Sequence, residues 1–64
     1  MKVKYDKEND ILYIRFSEAQ VSESDEEKKG LILDYDADGN ITGIEIINAS
    51  KSIVQPSKLE YEVA

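Results

Sequence analysis

Neither cysteine nor histidine occurs in this chain of 64 residues, tryptophan is missing, and there is one proline and only three glycines. The first two absences exclude disulfide staples, thiolate chemistry and the usual zinc or haem ligands. General acid and base work would fall to carboxylates, lysine or tyrosine, and nucleophilic attack to serine or threonine. The three glycines stand singly, so no phosphate-cradling glycine loop is present. A domain this short also has little room for a ligand pocket of roughly 300 Å³ or more. Catalysis is therefore not expected. No apolar run is long enough to cross a bilayer, and the opening Met1-Lys2-Val3-Lys4-Tyr5 has no signal-peptide character, so a cytoplasmic location is the expectation.

Basic residues are the scarcer sign of charge. Fourteen Asp and Glu against eight Lys and Arg give a net charge of −6, which repels phosphate backbones and anionic membranes at long range. Neither nucleic acid nor membrane is an expected partner, and a charged partner would be basic. A chain of this size forms one domain over residues 1–64, and it buries only about 60% of the surface its unfolded form exposes. With disulfides excluded, oxygen-ligated metals or oligomerisation remain as supplements, and self-association into a homodimer is the expectation.

Residues 2–5 alternate Lys2 and Lys4 with Val3 and Tyr5, the two-residue period of a half-buried strand. A polar turn over Asp6–Asp10 leads into Ile11–Phe16, rich in β-branched and aromatic side chains, so residues 2–16 read as a hairpin. Leu12, Ile14 and Phe16 make one apolar face of its second strand. Ile11 and Tyr13 leave the other only partly polar, and a strand this apolar calls for a cover.

From Ser17 to Lys29 the chain carries Glu18, Glu23, Asp25, Glu26 and Glu27 with only Ala19 and Val21 as apolar residues. The stretch cannot be core, and it reads as a solvated loop or an edge strand whose like charges discourage pairing with other chains. The sharper alternative is an acidic docking surface. Leu31–Tyr35 and Ile41–Ile47 then read as strands about a turn at Asp38-Gly39, a second hairpin over 31–47. Asn48 is placed as the N-cap of a short helix near 49–54, ended by the restriction Pro56 puts on Gln55. Beyond it Leu59, Tyr61 and Val63 alternate with Lys58, Glu60 and Glu62, which makes the tail 54–64 a last strand or a pairing arm for a second subunit. The resulting class is α+β and mainly β: an antiparallel sheet of four to five strands with one short helix.

Asp34, Asp36, Asp38, Gly39, Ile41 and Glu45 fall at positions one, three, five, six, eight and twelve of a twelve-residue window, the ligand spacing of an EF-hand loop. Asn40 would offer its carbonyl, Thr42 would hold a water and Glu45 would close the site. That reading needs helices on both flanks, whereas these flanks are short and β-branched. In a hairpin, Glu45 lies roughly 20 Å along the strand from the turn at about 3.4 Å per residue. The two readings exclude each other. The hairpin is favoured, no metal or cofactor is assigned, and Asp34, Asp36, Asp38 and Glu45 are candidate cation ligands in the EF-hand alternative, a calcium-binding module, with weak, incidental cation binding at the acidic turn as a third reading. Asp34 and Asp36, two apart on a strand, would share a face, with solvated aspartates beside a turn as the plainer reading. Tyr5, Tyr13 and Tyr35 are expected at the edge of the core, while Tyr61 fits an interface equally well.

Val3–Asp6, Asp10–Ile14, Gly30–Asp36, Asp38–Ile41 and Gly43–Ser50, in this order and spacing, resemble a prokaryotic family catalogued as domain of unknown function 2283. The resemblance covers residues 1–53 and leaves the tail outside. It implies a compact antiparallel sheet with a short helical element, and it transfers no functional residues. Some relatives look like the partners of small toxin-like proteins encoded beside them, so it implies an antitoxin-like role by analogy. Taken together, the expectation is a small acidic interaction protein, not an enzyme, that offers an acidic face or an open strand edge to a basic partner.

Overall fold

The computed structural model describes residues 1–64 throughout. Five strands form: β1 (Lys2–Asp6), β2 (Ile11–Arg15), β3 (Glu23–Lys28), β4 (Leu31–Tyr35) and β5 (Ile41–Ile47), followed by the one-turn helix α1 (Ala49–Ser52). They make one antiparallel sheet in the order β1-β2-β5-β4-β3. The two hairpins expected from alternation are thus joined along β2 and β5, and the acidic stretch supplies the outermost strand. No helix is long and apolar enough to cross a membrane.

Register fixes the two faces. Ile14 pairs with Ile44 and Ile44 with Leu33, while Leu12 pairs with Ile46 and Ile46 with Leu31. Because side chains alternate, these rows share one face with Val3 and Tyr5 of β1. The opposite face is mixed, carrying Lys2, Lys4, Tyr13, Arg15, Asp34 and Glu45 together with Ile11, Ile32 and Ile47. Lys4 Nζ stands 5.9 Å from the centre of the Tyr13 ring there, a cation–π contact on the polar side.

Local chemistry explains the turns. Asp36 and Asn40 close the β4–β5 hairpin through the Asp36 N–H donating to the Asn40 carbonyl at 2.9 Å, and the Gly39 N–H reaches back to the Asp36 carbonyl at 3.1 Å. The loop is therefore Ala37-Asp38-Gly39, one residue longer than a two-residue turn at Asp38-Gly39. Gly39 adopts φ 84°, the left-handed closing position that three-residue hairpin loops favour. The β2–β3 connection crosses the sheet end past β5 and β4. Arg15 pins it, donating from Nε to the Ser17 carbonyl at 2.9 Å and from Nη2 to the Ala19 carbonyl at 3.0 Å.

Three further expectations need correction. Phe16 lies just beyond β2 and is 43% exposed, although its N–H still bonds the Thr42 carbonyl at 2.8 Å. The helix ends at Ser52 with Ile53 extended (φ −121°, ψ 124°), before Pro56 can act. No strand forms over Leu59–Val63. There the Lys58 N–H bonds the Gln55 carbonyl at 3.0 Å, and Leu59 and Tyr61 line an open groove with Met1 and Val3. Alternation gave the tail a strand's period without a hydrogen-bonded neighbour.

Candidate functional site

Four groups of side chains carry the chemistry on offer, and each is set by the sheet register. The first is the set Asp34, Asp36, Asp38 and Glu45. Asp34 sits on β4 opposite Gly43, and Glu45 on β5 opposite Ile32 and Tyr13. Asp36 lies in the turn, where its Oδ1 accepts the N–H of Asp38 and of Asn40, both at 2.9 Å, and its Oδ2 accepts from Asn40 Nδ2 at 3.3 Å. These donors, led by the Asn40 backbone, hold the Asp36 carboxyl below its ordinary range. Its oxygens are committed to the turn. The flanks are strands, and no group of three or more carboxylates gathers where a metal could be held, so the helix-loop-helix that the EF-hand spacing requires is replaced by a hairpin.

The carboxyl pair that does form was not visible in the spacing. Asp34 and Glu45 face each other diagonally on the polar side, beside a cavity of about 90 Å³ lined by Tyr13, Arg15, Gly43 and neighbouring residues. Desolvation, and then the charge of Asp34, push the Glu45 carboxyl above its usual range. Asp34 is itself tied to β3, accepting a 2.6 Å hydrogen bond from the Ser24 hydroxyl. Gly43 makes the space: a Cβ there would stand 2.9 Å from the Ile14 carbonyl oxygen and 3.4 Å from Asp34 Oδ2. At 90 Å³ the hollow is well short of the roughly 300 Å³ of ordinary ligand sites.

The third group is a clasp at Asp10. Asn48 occupies the cap position of α1, as the sequence suggested, but it is left-handed (φ 54°, ψ 47°) and its side chain makes no capping bond. Asp10, forty residues before Ser50, does that work. Its carbonyl accepts the Ala49 N–H at 2.9 Å, its Oδ1 accepts the Ser50 N–H at 3.0 Å, and its Oδ2 accepts the Ser50 hydroxyl at 2.7 Å. The Tyr5 hydroxyl donates to the same Oδ1 at 2.6 Å. Asp10 is itself left-handed (φ 54°), which aspartate tolerates better than most residues. The Tyr5 and Ser50 bonds hold its carboxyl below the ordinary range, and the same Tyr5 contact raises the phenol. Asp10 thus ties the first hairpin to the helix.

The last group is β3. All six of its residues are exposed, and Glu23, Asp25, Glu26 and Glu27 have no ion-pair partner. The single salt bridge of the molecule, Lys58 to Glu60 at 3.8 Å, lies in the tail. Glu27 accepts a hydrogen bond from the Tyr35 hydroxyl at 3.0 Å, and that bond leads the causes that raise the phenol. The outer edge of β3 carries no ladder.

Comparison with known proteins adds a family and no activity. An uncharacterized protein of Methanocaldococcus jannaschii is 39% identical over 51 residues, which cover 80% of this chain and 43% of that protein. The chain thus matches less than half the length of that relative. No solved structure matches. The family model described as protein of unknown function (DUF2283) matches residues 2–50, a span that takes in all five strands together with Asp10 and Ser50, the two ends of the clasp. The chain belongs to the DUF2283 family.

Proposed function

We propose that this domain is a non-catalytic protein–protein interaction module whose acidic edge strand, β3, receives a basic partner. The observation that carries the reading is the edge itself: Glu23, Asp25, Glu26 and Glu27 are exposed, without cationic neighbours in bonding range, on a strand with one open side. An extended segment of a partner can add to such an edge through main-chain hydrogen bonds, while opposite charge steers its approach. Like charges on the edge at the same time discourage another acidic chain from pairing there. The antitoxin-like role implied by the family resemblance is one form of this reading, with a small basic protein as the partner. The calcium alternative finds no support, since Asp36 is occupied by its own turn and Glu45 lies along β5.

Affinity capture with the tagged chain from its native cells, at low and high salt, tests the proposal. A basic protein should be retained at low salt and released at high salt. A variant with Glu23→Gln, Asp25→Asn, Glu26→Gln and Glu27→Gln should retain much less of it. If nothing basic is recovered in either salt, or if the variant captures the same protein as well as the parent, the edge is not a docking strand.

A further inference from the structure

The face of the sheet bearing Leu12, Ile14, Leu31, Leu33, Ile44 and Ile46 has no second layer over it. Each of these side chains is only half-buried, and the fully buried residues of the whole molecule are Thr42, Gly43 and Ala49. Soluble domains bury an apolar sheet face against another layer, because one sheet cannot exclude water from its own side chains. The helix is too short to serve, having a single turn. The tail does not serve either: it borders β1 beside Met1 and Val3, with Leu59, Tyr61 and Val63 themselves 65%, 74% and 80% exposed.

We infer that this face is covered by a second copy of the chain, packed sheet against sheet in a two-fold symmetric dimer. Area supports that occupant. The molecule exposes 5153 Å² at a mass of 7.3 kDa, whereas a compact monomer of that mass would expose about 4,200 Å². The excess is roughly 1,000 Å², to which the tail and the half-exposed sheet face both contribute, and a standard interface takes about 800 Å² from each partner. Two such sheets stacked about 10 Å apart would make a sandwich with an ordinary core.

Charge selects the arrangement. On the apolar side, β3 contributes Glu23, Asp25 and Lys28, opposite Tyr35, Leu33 and Leu31. A two-fold axis running across the strands would stack β3 on the β3 of the other copy and crowd the Glu23 and Asp25 carboxylates of both copies together with only their Lys28 ammonium groups to offset them. An axis parallel to the strands stacks β3 on the β1 of the other copy and keeps the acidic strands at opposite margins, with their outer edges open. The inference is independent of the basic partner proposed above, because it uses the face of the sheet and leaves the β3 edge free.

Sedimentation equilibrium of the full chain and thiol labelling of two single-cysteine variants test it together. The expected mass is twice 7.3 kDa. Ile44→Cys, at the centre of the apolar face, should react with a maleimide several-fold more slowly than Tyr13→Cys on the polar face, and the difference should close on dilution to monomer. Leu33→Cys is read in the same way if Ile44→Cys fails to fold. A monomer mass at every concentration, or a dimer in which thiols on the two faces react alike, would overturn the inference. Loss of the basic partner with the dimer intact would instead count only against the edge-strand reading.

Discussion

Asp10 is the residue whose side-chain bonds reach furthest along the chain. It accepts from Tyr5, Ala49 and Ser50 at once, so one residue in the first turn closes the helix. Its carboxyl is held below the ordinary aspartate range. The folded state therefore favours the ionised form, the stability it adds is present above the unfolded-state value near 3.9, and it is lost as pH falls through the lower folded value. Asp10→Asn should lower the melting temperature clearly at pH 7 and much less at pH 3, as read by thermal melts across that range. Glu45 has the opposite sign. Its raised carboxyl means that stability declines as pH rises through its folded value, so Glu45→Gln should raise the neutral-pH melting temperature, with solvent screening keeping the gain under about 1 kcal/mol. Gly43→Ala brings a Cβ within 2.9 Å of the Ile14 carbonyl oxygen and should cost about 1–3 kcal/mol in denaturant melts, the usual range for overpacking.

At the scale of elements, alternation and turn chemistry made four strands legible. Val3 and Tyr5, the Ile11–Phe16 run, and the apolar segments on either side of Gly39 each announce a strand, and Gly39 announces the turn between two of them. The EF-hand spacing was legible too, yet the β-branched Ile32, Ile41, Ile44, Ile46 and Ile47 decided against it, because hydrophobic period outweighs ligand spacing when the flanks cannot be helical. What escaped the sequence was pairing across distance. Asn48 looked like a cap because caps are usually local, and nothing in Asp10 shows that it would reach Ser50. The Asp34–Glu45 pair depends on a register that includes an irregularity between Asp34 and Tyr35, which spacing alone does not encode. The tail kept a strand's alternation without an available ladder. Truncation after Ile53 should therefore leave the far-ultraviolet circular dichroism of the sheet in place and shift unfolding free energy by no more than about 0.5 kcal/mol, the usual size for exposed groups away from structural features.

For the whole molecule, a single sheet with one apolar and one mixed face is half of a two-layer architecture. A folded chain that buries only Thr42, Gly43 and Ala49 completely has little internal core to stabilise it, and the inferred second copy would add the missing burial at Ile14, Ile44, Leu33 and their neighbours. On the dimer inferred above, folding and association are one equilibrium, and the apparent stability depends on chain concentration. The direct measurement is the melting temperature of the full chain over a hundredfold range of concentration. It should rise steadily with concentration, and a melting temperature that stays constant across the range would contradict the account.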